Sequence, residues 1–242
     1  MSEPYVRPDV RKFLDYLNAL PGPRSHEVGP VEAREMMHAA RHVADAPVGE
    51  LAVIRDLACP GPAGDIPLRL YDLRESRDRG PVLVFFHGGG FMLGDLDSHD
   101  MIDEPARVPV LAQWPIYPAA DPVKGYPSFT DFGEGYLLTR EGMHWFDRCY
   151  RPDNDDWRYA PLLKSQEGMP PTLIVTASLD PIRDQGRAYA AACIEAGVPT
   201  IFREARGNIH GFINLRKAIP SSDEDIRGCA VALHLLLTEA QS

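Results

Sequence analysis

The chain has 242 residues, enough to bury one sizeable core as a single domain or as a domain with a small cap. Apolar residues make up 44% and charged residues 25%, which fits a globular protein and excludes disordered and fibrous classes. Acidic residues outnumber basic ones 35 to 25, and the net charge of −10 repels phosphate backbones and anionic membrane surfaces, so neither nucleic acid nor membrane is an expected partner.

Val10, Phe13, Leu14 and Leu17 fall on one face of a helix that Pro21 and Gly22 stop. A second helix is expected over about Val31 to Val43. The start of the chain is charged throughout and lacks the apolar stretch of a signal peptide, and the four scattered cysteines form no CxxC pair. A reducing cytoplasm is the expected location. Glu50 to Leu57 and Ile66 to Leu73 read as strands joined by the turn CPGPAGD, an antiparallel hairpin at a sheet edge.

The stretch PVLVFFHGGGFMLGDLDSHD, Pro81 to Asp100, organises the rest of the chain. Its continuous apolar run, Val82 to Phe86, predicts a strand covered on both faces. His87 and three glycines end it. Without a Cβ the backbone there can turn sharply and present N–H groups to a ligand. Gly88 and Gly89 are therefore candidate donors of an oxyanion hole. An ordinary glycine turn after a strand is the plainer reading of the same residues.

Further on, Thr172 to Ala177 predicts another buried strand, with Asp180 just past its carboxyl end, where catalytic groups of open α/β sheets gather. Asp180 taken alone reads as a helix cap or as a carboxylate able to hold a histidine in one tautomer. A helix from Gly186 to Ala196 and a strand from Thr200 to Glu204 come next. His210 then stands in the loop GNIHGF, flanked by glycines, and histidine is the residue type most often used as a general base. A surface histidine is the default for such a residue. The last helix, near Asp223 to Ala240, has Ser221 and Ser222 as candidate caps and Ile226, Ala230, Leu233 and Leu237 as its inward face. No histidine spacing matches a metal motif, so no metal or cofactor is expected.

HGGG after a strand, GDLDSHD, IYPAAD, LDPIRDQG and HGF together resemble the hormone-sensitive lipase family of α/β-hydrolase carboxylesterases. The resemblance runs over nearly the whole chain. It implies an α/β-hydrolase fold over residues 1–242, a mostly parallel central sheet flanked by helices, with a small helical cap from about residues 1–45 and 132–163. It also implies hydrolysis of small carboxylic esters without a cofactor. By resemblance Asp180 orients His210, His210 shuttles the proton, and the Gly88 and Gly89 amides hold the oxyanion. The last strand and the C-terminal helix offer a surface for a homodimer.

The family's nucleophile elbow, GxSxG, occurs nowhere in the chain. Only about fifteen residues separate GDLDSHD from IYP, too few for the strands and crossover helices expected there. By family comparison a block of about 70–80 residues is absent, with the cut between Asp100 and Val110. Ser98, Ser128 and Ser178 are the nearest other serines, and none lies on a glycine-flanked turn from strand to helix. Three readings remain open: an esterase whose sequence here lacks one block, a deletion product that is inert or only binds, and an enzyme with a rearranged site. Losing a central strand would also expose two backbone ladders and their apolar surface.

Overall fold

A computed structural model of the protein describes residues 3–47, 49–61, 64–76, 82–93 and 110–239. Helix α1 (Pro8–Ala19) begins with proline in its first turn, where a missing N–H costs nothing, and buries Val10 and Leu14. Helix α2 (Pro30–Ala44) starts the same way. Strands β1 (Val53–Gly61) and β2 (Gly64–Asp72) pair antiparallel, with Val53 opposite Asp72 and Gly61 opposite Gly64. Cys59, Pro60 and Gly61, expected in the turn, belong to the ladder instead. The hairpin forms a sheet of its own and pairs with no other strand among the described residues.

The core is a parallel pair, β3 (Thr172–Leu179) and β4 (Thr200–Ile209), connected by helix α5 (Arg183–Glu195). Both strands run further than the sequence suggested. Upstream, Gln113 and Ile116 bridge to Thr172 and Val175 in parallel, so a third chain segment flanks β3 on its other side. Alternation along β3 assigns its two faces. Leu173, Val175 and Ala177 pack with Phe212 against Cys229, Ala232 and Leu236 of helix α6 (Ser222–Glu239). Ile174 faces Tyr189, Ala190 and Cys193 of α5. Each buried Leu, Ile or Val contributes about 1.5–3 kcal/mol relative to exposure, so this three-layer sandwich carries much of the stability. Gly186 lets α5 approach closely, since a Cβ there would lie 2.5 Å from the Thr176 methyl group.

Helix α1 seals the carboxyl end of the pair, where Val10 and Leu14 meet Leu179, Ile209, Leu215, Ile219 and Phe132. Polar clasps fix it there. The Arg7 guanidinium grips both oxygens of Asp225 at 2.7 and 3.0 Å and donates to the Arg206 carbonyl at 2.7 Å. Asp9 accepts from the N–H and hydroxyl of Ser221. Short helix α3 (Pro127–Asp131) and helix α4 (Arg140–Tyr150), capped by the Thr139 hydroxyl, lie between the hairpin and β3 in the chain.

Two expectations need correction. Residues 82–86 form no strand: Val82 is 76% exposed, Leu83 69% and Phe86 51%. A strand exists only against a ladder partner, and no described segment offers one. The inward face of α6 is centred on Cys229, Ala232 and Leu236, with the expected Ile226 and Leu233 packed beside them, whereas Ala230 is exposed along with Val231 and Leu235. The expected cut between residues 100 and 110 lies outside the described residues, as do GDLDSHD and Ser98.

Candidate active site

Asp180 leaves the end of β3 fully buried, and its two carboxylate oxygens do different work. Oδ1 accepts the Ile182 N–H at 2.9 Å and so caps the turn into α5. Oδ2 lies 2.8 Å from His210 Nδ1. One oxygen of this aspartate thus closes the turn before α5, whose N-cap is Ile182 without a side-chain cap, and the other faces the histidine.

His210 reaches that position because β4 carries it there. Gly207, with φ of +75°, adopts a left-handed conformation near the strand's end, and its N–H donates to the Ser178 hydroxyl at 2.7 Å. The β3–β4 register slips between Ala177 and Leu179, which brings Leu179 opposite Ile209. The next residue after each strand, Asp180 on one and His210 on the other, then lie side by side. Gly211, at φ of +78°, turns the chain into the 3₁₀ turn Phe212–Asn214. The imidazole is 24% exposed, and among the described residues Nε2 has no hydrogen-bond partner. With Nδ1 on a buried carboxylate, the ring presents Nε2 outward as the atom able to take a proton.

One neighbour was not singled out from the sequence. The Tyr117 ring sits 4.4 Å from the His210 ring, centroid to centroid, and meets Phe212 edge-on at 5.6 Å. Burial first, and then the charge of Asp180, push its hydroxyl far above the ordinary tyrosine pKa, so it stays protonated. Its membership of the IYP string was the only sequence signal.

The glycine loop is built against the helices. Gly89, at φ of +123°, accepts from the N–H groups of Met92 and Leu93, and a Cβ there would lie 2.0 Å from the Leu93 carbonyl oxygen. Phe91 stacks on Tyr150 at 4.3 Å, Gly90 abuts Phe146, and Arg34 of α2 donates to the Met92 carbonyl at 2.7 Å. Leu93 joins Ala33 and Trp145 in a small cluster of its own. The structure thus brings Asp180 and His210 together and seats the loop carrying Gly88 and Gly89 on α2 and α4.

The alternative serines are engaged elsewhere. The Ser178 hydroxyl accepts from Gly207, and the buried Ser128 hydroxyl donates to the Pro181 carbonyl at 2.9 Å and accepts from the Asp184 N–H at 3.2 Å. Among the described residues no three His, Cys, Asp or Glu side chains gather as metal ligands. None of the four cysteines forms a disulfide among the described residues.

A family model described as the α/β-hydrolase fold matches residues 101–214, the part that holds Tyr117, Asp180 and His210. Carboxylic ester hydrolase LipN of Mycobacterium tuberculosis is 32% identical over 67% of this chain and 65% of its own length. The chain has the α/β-hydrolase fold and is similar in sequence to carboxylic ester hydrolases.

The α/β-hydrolase fold extends over almost all of it. The ethyl acetate hydrolase of Pseudomonas putida is 26% identical over 91% of this chain and 96% of its own length. The solved thermostable esterase of Pseudomonas putida ECU1011 superposes on 98% of this chain, and 99% of its own, with a TM-score of 0.86 at 21% identity, a likeness of fold. The alignments also measure how much shorter this chain is. The 245 positions aligned with LipN hold only about 160 residues of this chain, and the 309 aligned with the ethyl acetate hydrolase only about 220. Roughly 80–90 positions of each relative therefore lie opposite nothing here. This chain covers 65% of LipN, short of two thirds.

Proposed function

We propose that this protein descends from, and in its full form is, a carboxylic ester hydrolase of the hormone-sensitive lipase branch acting on small acyl esters. The observation that carries the reading is the 2.8 Å contact between Asp180 and His210 Nδ1, which leaves Nε2 facing outward. In the complete enzyme a serine from the absent block attacks the acyl carbon, His210 takes the hydroxyl proton and passes it to the departing alcohol, and water repeats the cycle to release the acid. Asp180 orients the imidazole and stabilises its cation. The Gly88 and Gly89 amides receive the oxyanion. Helices α1, α2 and α4 contribute the cap over the site. β4 and α6, which expose Phe202, Val231 and Leu235, form the homodimer surface of a cytoplasmic enzyme. Among the described residues no helix is long and apolar enough to cross a membrane.

For the chain as it stands, the absence of GxSxG and the 80–90 unmatched positions favour a second reading, a protein that binds esters without serine-type turnover. Intact mass separates the cases against 26.9 kDa for this sequence. A chain of that mass is expected to bind ester analogues, resist labelling by phosphonates, and show no turnover of short-chain aryl esters. With the block restored, turnover appears and His210→Ala lowers it by about three or more orders of magnitude. Near-normal turnover of that variant would remove His210 from the site.

A further inference from the structure

We infer that Tyr117 is a positioning residue for His210, its ring holding the imidazole in register with Asp180. The inference rests on the proposed hydrolase function and adds to it a group that neither touches the ester nor transfers a proton. Three observations meet at this residue.

Its backbone is in the left-handed region, at φ of +37°, where a bulky side chain is strained. The fold holds it there through a 2.6 Å hydrogen bond from its N–H to the Val175 carbonyl, next to the Ile116–Val175 bridge. Its hydroxyl has no hydrogen-bond partner among the described residues, so no hydrogen bond among them accounts for where the ring goes. What the strained backbone achieves is contact: the ring lies against His210 at 4.4 Å, tilted by 53°, and is backed by the buried Phe212 at 5.6 Å. A single hydrogen bond from Nδ1 to Asp180 leaves an imidazole free to rock about that bond. A second wall on the ring removes that motion, and it also keeps water from the Nδ1–Asp180 bond, which strengthens it.

The test uses the chain as it exists and needs no turnover. The His210 Nδ1 proton, shared with a buried carboxylate, is read as a low-field resonance in histidine-labelled protein, together with its exchange with water. Tyr117→Gly suits the left-handed backbone and deletes the ring. It is expected to speed that exchange by about tenfold or more while the backbone amide spectrum stays that of the native fold. Tyr117→Leu, which keeps an apolar side chain, serves if the glycine variant does not fold, with the same expected result. Tyr117→Phe is expected to exchange as the unsubstituted protein does, because the ring and not the hydroxyl does the holding. Exchange unchanged in a folded Tyr117→Gly or Tyr117→Leu protein overturns the inference and leaves the Asp180–His210 pair intact. A missing resonance in the unsubstituted protein, unaltered by Asp180→Asn, overturns the pair and the hydrolase reading with it.

Discussion

Ser128→Ala separates a structural hydroxyl from a stand-in nucleophile. The Ser128 side chain is fully buried, and its hydroxyl is the acceptor for the Asp184 N–H, a first-turn donor of α5 that has no acceptor within its own helix. The same hydroxyl satisfies the Pro181 carbonyl. Alanine leaves both groups unpaired at a buried position, a loss of about 1–3 kcal/mol. For a chain of this length each kcal/mol lowers the melting temperature by roughly 2–4 °C, and urea titration reads the same loss as a shift in midpoint at constant slope. Any ester turnover per folded molecule is expected to stay as it was. A stability change under about 0.5 kcal/mol would refute the structural assignment, since surface substitutions already reach that size. Loss of turnover at undiminished stability would make Ser128 the nucleophile of a rearranged site.

Arg7→Ala should release α1, because the guanidinium and Asp225 face each other at 16% and 17% side-chain exposure and the arginine also holds the Arg206 carbonyl. About 1–3 kcal/mol is expected, less than for a fully buried pair, seen as faster amide exchange and protease cleavage confined to the first 20 or so residues. Val84→Lys, at an exposed position of the unpartnered apolar run, should leave the melting temperature unchanged and reduce self-association in light scattering; unchanged association would show that this run is not what sticks. Burial raises the Asp184 pKa, but bonds from Arg183 and the Ser128 N–H and the charges of Arg183 and Arg187 outweigh it, so the carboxyl ends below its ordinary value. A depressed folded-state pKa gives stability that is complete above the unfolded value and is lost as pH falls through the folded one. Urea midpoints should therefore drop below about pH 4, and Asp184→Asn should flatten that acid limb; an identical limb in the variant would refute the assignment.

How much of this was legible in the sequence depends on how local its cause is. β3 could be read because a strand buried on both faces writes an unbroken apolar run, and Leu173, Val175 and Ile174 do occupy opposite faces of one layer. The closeness of Asp180 and His210 came from two parallel strands ending in step. Residues 82–86 carry the same apolar signature as β3 and yet form no strand, since pairing is a property of neighbours and no described segment stands beside them. In α6 two apolar stripes compete, and only the sheet decides between them. Cys59 and Pro60 looked like turn residues but are held in the hairpin by partners across the ladder. Tyr117 could not have been found from its own surroundings, because the contact that matters is made across the sheet by a residue from a distant loop.

The divided carboxylate of Asp180 has an evolutionary corollary. A descendant relieved of its chemistry has no reason to keep the imidazole, but it still needs an oxygen to start the neighbouring helix. Under such drift the acid would outlast the base, so an aspartate at this corner testifies to ancestry, and only the histidine beside it speaks for a working enzyme.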